Sequence, residues 1–379
     1  MKRDLPNEVM MLCDSVRKFM QKEVAPQIDR IDHYPVIPAP EGFFDSVLAR
    51  LGELGLLSLM VPAEFAGSGL GIGILSAVVE TMAEIYASIP ALLLGHSIGQ
   101  SLILEVGSPA QKERWLTTDG SRGRPPVLAF PMYQEPQGQG LLRERSGVSE
   151  GEVIVEGRCD LVVNGPLADG LVLPVWGTEG MGIIVLPREA KGVTLSEPVL
   201  TLGLRACPVA DILVNGVKVP REEMAVTGGP TASLEATYRI FSGPVAALCA
   251  GISGLSIEKA TAYVRERRQG GRPLAEYSQV RMMIASMARR YETARLAAGR
   301  LSESGAPRCA EDLALFISAR DGVARAVQDG VQLLGGYGYM EDYGQERCMR
   351  DAKQAHMLLG RDDLRCLDLA AMRVESVLA

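Results

Sequence analysis

Histidine is scarce in this chain, with three in 379 residues. The seven cysteines (Cys13, Cys159, Cys207, Cys249, Cys309, Cys348 and Cys366) are odd in number, widely scattered, and form no CxxC pair. That pattern argues against a disulfide framework and against a His/Cys metal centre, so no metal site is expected. A reducing cytoplasm is the simplest address. No excess of positive charge exists either: the net charge is −7, and a nucleic-acid partner is not expected. No uninterrupted apolar run reaches about 18 residues, so no membrane span is expected. The opening stretch MKRDLPNEVMMLCDSV spreads its charges and has no apolar core of signal-peptide length. GSGLG at 67–71 lacks a following Lys-Ser/Thr and is not a phosphate loop of the P-loop type. No Ser/His/Asp set presents itself, and His96, in GHSIG, reads as a satisfied interior histidine.

What is present is the composition of a soluble globular protein, 47% hydrophobic and 22% charged. At 379 residues one small core is not enough, and two or three domains are expected. The hydrophobic period divides the chain. From Asp4 to about Leu116 it is helical: Val16, Phe19, Met20 and Val24 recur at spacings of three and four, as do Phe44, Val47, Leu48 and Leu51. Between about Pro126 and Lys218 short β-branched runs (PVLAF, EVIVEG, LVVNG, LVLPVWG, GIIVLP, DILVNGVKV) alternate with Gly, Pro and Asn. After Gly228-Gly229 the helical period returns, and its clearest helix starts after Pro273. About 28 residues there give a helix of roughly 42 Å. The expected architecture is α+β and multidomain: a helical domain over 1–125, a β domain over 126–228 and a helical domain over 229–379.

Four separated stretches resemble one family. PAEFAGSGLG, followed by VVETMAEIYASIPALLLGHSIGQSLILEVGSPAQKERWL, looks like the N-terminal helical domain of acyl-CoA dehydrogenases. LGLRACPVADILVNGVKVP resembles the end of their β domain, and YVRERRQGGRPLAEYSQVR the junction of two long C-terminal helices. QLLGGYGYMEDYGQERCMRDAK is the nearest match of all. The resemblance implies a helical domain, a middle β-barrel-like domain and a C-terminal four-helix bundle. It also implies FAD, an acyl-CoA substrate, a tetramer built as a pair of dimers, and an electron-transfer flavoprotein as redox partner. Gln332, Gly335 and Gly336 match the Gln-x-x-Gly-Gly that reaches the flavin nucleotide of a neighbouring subunit, together with the arginine matching Arg267. Glycines without Cβ let a backbone approach a ligand, and a guanidinium suits a pyrophosphate.

Such enzymes take a proton from the carbon next to a thioester carbonyl and pass a hydride to the flavin. The proton acceptor is usually a glutamate in a Glu-Gly-Thr turn. Counting from RDAK puts that place at Leu359, before Gly360, and leucine accepts no proton. A second family position, on the first long C-terminal helix, falls at Pro244. Asp362 and Asp363, just past the turn, are the remaining candidates for a base, although both suit the start of a helix. Among the flavin contacts, Gln134 stands where a threonine is usual, and Leu161 to Val163 replace Trp-Ile-Thr. Gly270 stands where a phenylalanine is usual. Two functions remain open: a flavoenzyme acting on an acyl-CoA, by α,β-dehydrogenation or a related reaction without the glutamate, and a catalytically silent subunit of a mixed dehydrogenase tetramer. A scaffold with no chemistry is a third.

Overall fold

The structure, a computed structural model, describes residues 6–118, 123–133, 142–145, 151–177, 180–224, 230–303 and 310–378. Six helices come first: α1 (Asn7–Phe19), α2 (Ile28–Ile31), α3 (Phe43–Glu53), α4 (Ile72–Ala83), α5 (Ser88–Val106) and α6 (Pro109–Leu116). The period read from the sequence reports the buried faces, since Val16, Phe19, Val47, Leu48 and Leu51 all lie in the core. At α6 the Ser108 hydroxyl accepts the Gln111 amide, and the Gln111 side chain accepts the Ser108 amide. That reciprocal cap fixes where the helix starts.

Seven strands follow: β1 (Leu128–Ala129), β2 (Leu142–Arg145), β3 (Glu152–Val163), β4 (Gly170–Gly177), β5 (Gly180–Pro187), β6 (Val193–Leu195) and β7 (Val209–Pro220). They form one curled sheet in the order β1-β4-β2-β3-β7-β6, with β5 antiparallel to β4. β4 is buried on both faces, which is why LVLPV reads as a continuous apolar run. Leu171, Leu173 and Val175 turn to the inside of the curl, and Val172 to the helices.

The last segment contains α7 (Pro230–Glu266), the small hairpin β8 (Arg268–Gln269) with β9 (Arg272–Pro273), α8 (Ser278–Glu303), α9 (Ala310–Leu334), α10 (Gly336–Tyr339), α11 (Gln345–Ala355) and α12 (Asp362–Leu378). The helix expected after Pro273 is α8. The longest, however, is α7, with 37 residues and Pro244 inside it. α7 is central to the bundle: Gly251 lies so close to α4 that an added Cβ would stand 2.7 Å from the Glu80 carbonyl. By length and hydropathy Ser88–Val106 and Leu234–Glu266 are apolar enough to cross a membrane, but 78% and 72% of those windows are buried inside the chain, as core helices.

The three segments are joined by polar contacts as well as by apolar ones. The His96 ring, fully buried, meets the Leu57 carbonyl through Nε2 at 2.8 Å and accepts the Leu128 amide at Nδ1 over 3.1 Å. Burial lowers its pKa to about 4, so the neutral ring is the form held there. A second junction forms around Asp32, which receives the Tyr86 hydroxyl at 3.3 Å and Arg350 at 2.5 Å, while its backbone carbonyl accepts Arg205 at 3.1 Å. Asp351, the aspartate of RDAK, accepts the Leu204 amide at 2.6 Å. Gly203 has no room for a side chain, since a Cβ would overlap the Arg350 backbone. In this chain RDAK therefore anchors the β domain to α11.

Candidate active site

α11 ends at Ala355, and the chain turns before α12 starts at Asp362. Leu359 and Gly360 both take positive φ, 60° and 100°. A left-handed leucine costs about 1–2 kcal/mol, so the turn must be held from outside. Arg320 of α9, with 0% exposure, does this. It donates to the carbonyls of Leu358 at 2.8 Å and Gly360 at 3.1 Å, and pairs with Asp362. His356 sits between the Arg320 carbonyl, 2.7 Å from Nε2, and Asp362 Oδ2, 2.8 Å from Nδ1. Burial lowers the His356 pKa, with the hydrogen bond to the Arg320 carbonyl pulling the other way. Arg365 donates to the Leu359 carbonyl at 3.2 Å, and the Leu359 amide donates to the Met132 carbonyl at 2.8 Å.

The Leu359 side chain is 1% exposed and borders a narrow cavity of about 40 Å³. That is room for a few water-sized groups. Tyr238, Arg239 and Ser242 of α7 line it with Phe316 of α9, and Glu235 and Asp312 are its carboxylates. Pro244 lies on α7 two residues past Ser242. Asp362 is engaged by Arg320 and His356, and Asp363 pairs with Arg361 at 2.5 Å on the surface.

Of the expected flavin contacts, Gln134 lies outside the described residues. Val163 is buried, and its amide and carbonyl both bond Phe130, at 3.0 and 3.1 Å. A register shift between β3 and β7 at Cys159/Val162 pushes Leu161 out, with φ 55° and 38% exposure. A bulge of this kind re-aims a side chain, and here it presents an aliphatic surface. Hydrogen bonds thus run from Val163 to Phe130 and, two residues on, from Met132 to Leu359.

Arg267, Gln332, Gly335 and Gly336 come together elsewhere, in a cleft of about 670 Å³ that shares no lining residue with the Leu359 cavity. Gly335 has φ 59° and ψ −134°, a conformation essentially confined to glycine. An added Cβ on Gly335 or Gly336 would meet nothing within 4 Å, so the space beside this backbone is open. A guanidinium, side-chain amides and accessible backbone make a donor set that fits a dinucleotide's diphosphate. Gln279 and Tyr337 line the same cleft. Sequence reasoning missed both; Gln279 stands one residue into α8.

Comparison with known proteins places the chain among its relatives. Models of the acyl-CoA dehydrogenase N-terminal and C-terminal domains match residues 6–118 and 243–373. Cyclohex-1-ene-1-carbonyl-CoA dehydrogenase of Syntrophus aciditrophicus is 30% identical over 95% of this chain and 88% of its own length. Among solved structures, butyryl-CoA dehydrogenase from Megasphaera elsdenii superposes with a TM-score of 0.85 at 23% identity, covering 99% of this chain and 100% of that one. A glutaryl-CoA dehydrogenase from Mycobacterium smegmatis in complex with FADH2 gives 0.82 at 19% identity, over 97% and 94%.

Proposed function

The chain belongs to the acyl-CoA dehydrogenase family, and from that premise we propose that it holds FAD and acts on an acyl-CoA thioester by a reaction that needs no glutamate before Gly360. The family is one of FAD-dependent oxidoreductases. The carrying observation is Leu359, buried against the cavity in a turn that Arg320 ties down, with Asp362 and Asp363, the two aspartates just past that turn, already engaged. Asp362 cannot serve as a free base while it is shared between Arg320 and His356.

FAD, when bound, supplies a hydride acceptor or donor. In this reading Arg267, Gln332, Gly335 and Gly336 hold its nucleotide half, and Gln134, Leu161 and Val163 border its ring. Without a carboxylate at Leu359, reduction of an enoyl thioester fits better than removal of an α-proton. An enoyl reduction takes its proton from water or from the substrate. An electron-transfer flavoprotein is the proposed redox partner, and a tetramer the proposed assembly. The absorption spectrum of the pure protein, recorded before and after adding saturated and unsaturated acyl-CoAs, tests this. Reoxidation of reduced flavin by an enoyl-CoA is expected; protein that takes up no FAD sinks it.

The same vacancy supports a second reading, a silent subunit in a mixed tetramer. The favouring observation is that the nucleotide cleft keeps its arginine, glutamine and glycines while the base position does not. Co-purification with a second dehydrogenase-like chain is the expected result, and an active homotetramer would exclude it.

A further inference from the structure

The cleft around Arg267 contains an aromatic group that the expected contacts do not include. Tyr337, 43% exposed, lines it, and the Arg267 guanidinium lies 5.8 Å from the ring centroid. The ring packs against two others, Tyr343 at 5.0 Å and Tyr263, which also lines the cleft, at 6.2 Å, centroid to centroid. The neighbouring hairpin cannot supply an aromatic, because Gly270 has φ 58° and an added Cβ would collide with the Tyr277 hydroxyl. No carboxylate among the described residues pairs with Arg267. An exposed arginine without an anion samples many rotamers, at a cost in entropy when a ligand fixes it.

Resting on the FAD reading above, we propose that Tyr337 is a positioning residue for the nucleotide half of the cofactor: its ring, braced by Tyr263 and Tyr343, holds the Arg267 guanidinium toward the diphosphate. A guanidinium within about 6 Å of an aromatic face is attracted by the ring's quadrupole. Its edge donors stay free for two phosphate oxygens. Gln332, Gln279 and the open backbone at Gly335 and Gly336 complete the donor set around the same space.

The test compares FAD with FMN, which lacks the diphosphate and adenosine, using the full-length oligomer stripped of flavin. Tyr337→Ala should weaken FAD by about 3- to 10-fold and leave FMN within about twofold. Tyr337→Phe, which keeps the ring, should match the wild type for both. In an Arg267→Met background the alanine change should cost nothing more, because the ring acts through the arginine. Equal loss of FAD and FMN in Tyr337→Ala, or no loss of FAD, overturns the assignment. Wild-type protein that binds neither flavin overturns the cofactor reading itself, and this proposal with it.

Discussion

The amide of Leu359 is bonded to the carbonyl of Met132 across 2.8 Å. One residue thus places an aliphatic side chain in the cavity and commits its backbone donor to the β domain. A ligand carbonyl seeking that amide must displace the Met132 carbonyl first, so the Leu359 amide is not an open donor.

Placing a carboxylate there is the direct test. Leu359→Glu should give acyl-CoA-dependent flavin bleaching at least about 100-fold faster than the wild type, the usual scale for a positioned general base. Stopped-flow absorbance with a saturated acyl-CoA measures it. No gain, with the cofactor still bound, would mean that the base position has been misassigned.

Arg320→Met should be far more damaging. It strips donors from the Leu358 and Gly360 carbonyls and leaves Asp362 without its cation. Breaking a buried pair from one side costs roughly 3–5 kcal/mol. Calorimetry should show that loss, and acyl-CoA binding should fall with it; an unchanged melting profile would contradict the role given to Arg320.

The Gly203→Ala variant probes the seam between the β domain and α11. Its methyl would overlap the Arg350 backbone, which has no rotamer to yield. A cost of about 1–3 kcal/mol is expected, read by denaturant unfolding.

Stability should also depend on pH through two buried groups of opposite sign. Burial raises Asp351 from 3.8 to about 7, although the Leu204 amide pulls the other way. A raised pKa stabilises fully below the unfolded value and is lost as pH climbs through about 7. Burial lowers His96 from 6.5 to about 4, so its contribution is complete above 6.5 and disappears as pH falls toward 4. The two trends oppose each other between about pH 4 and 6.5, so Asp351→Asn, which keeps an acceptor for Leu204, should make stability rise more steeply with pH across that range than in the wild type, the two profiles running parallel above about 7. Identical profiles for the two proteins would rule this out.

Much of the fold was legible because it is written in local periods. The change from spacings of three and four to short β-branched runs and back separates the helical and sheet segments. The glycines of QLLGGYG were legible for a similar reason, as the conformation at Gly335 restricts the residue type there. Contacts that span the chain were not. Asp351 meets Leu204 across 147 positions, so RDAK could be counted from but not understood as an anchor. Arg320 in sequence is one more helical charge among many; its complete burial follows from three segments closing over it. Pro244 misled in another way. Read only as the place of a second candidate base, it drew attention from α7, which runs through it as the longest helix among the described residues.

Asp32 has a bearing on how this chain could be recombined with its relatives. Its oxygens serve Tyr86 from the link between α4 and α5, Arg205 from the turn before β7 and Arg350 from α11. A chimera that replaces the N-terminal region would leave Arg205 and Arg350 against a foreign surface unless an aspartate stands at the position of Asp32. A single residue thus couples all three regions, and Asp32→Ala should loosen their mutual seating together rather than one region alone.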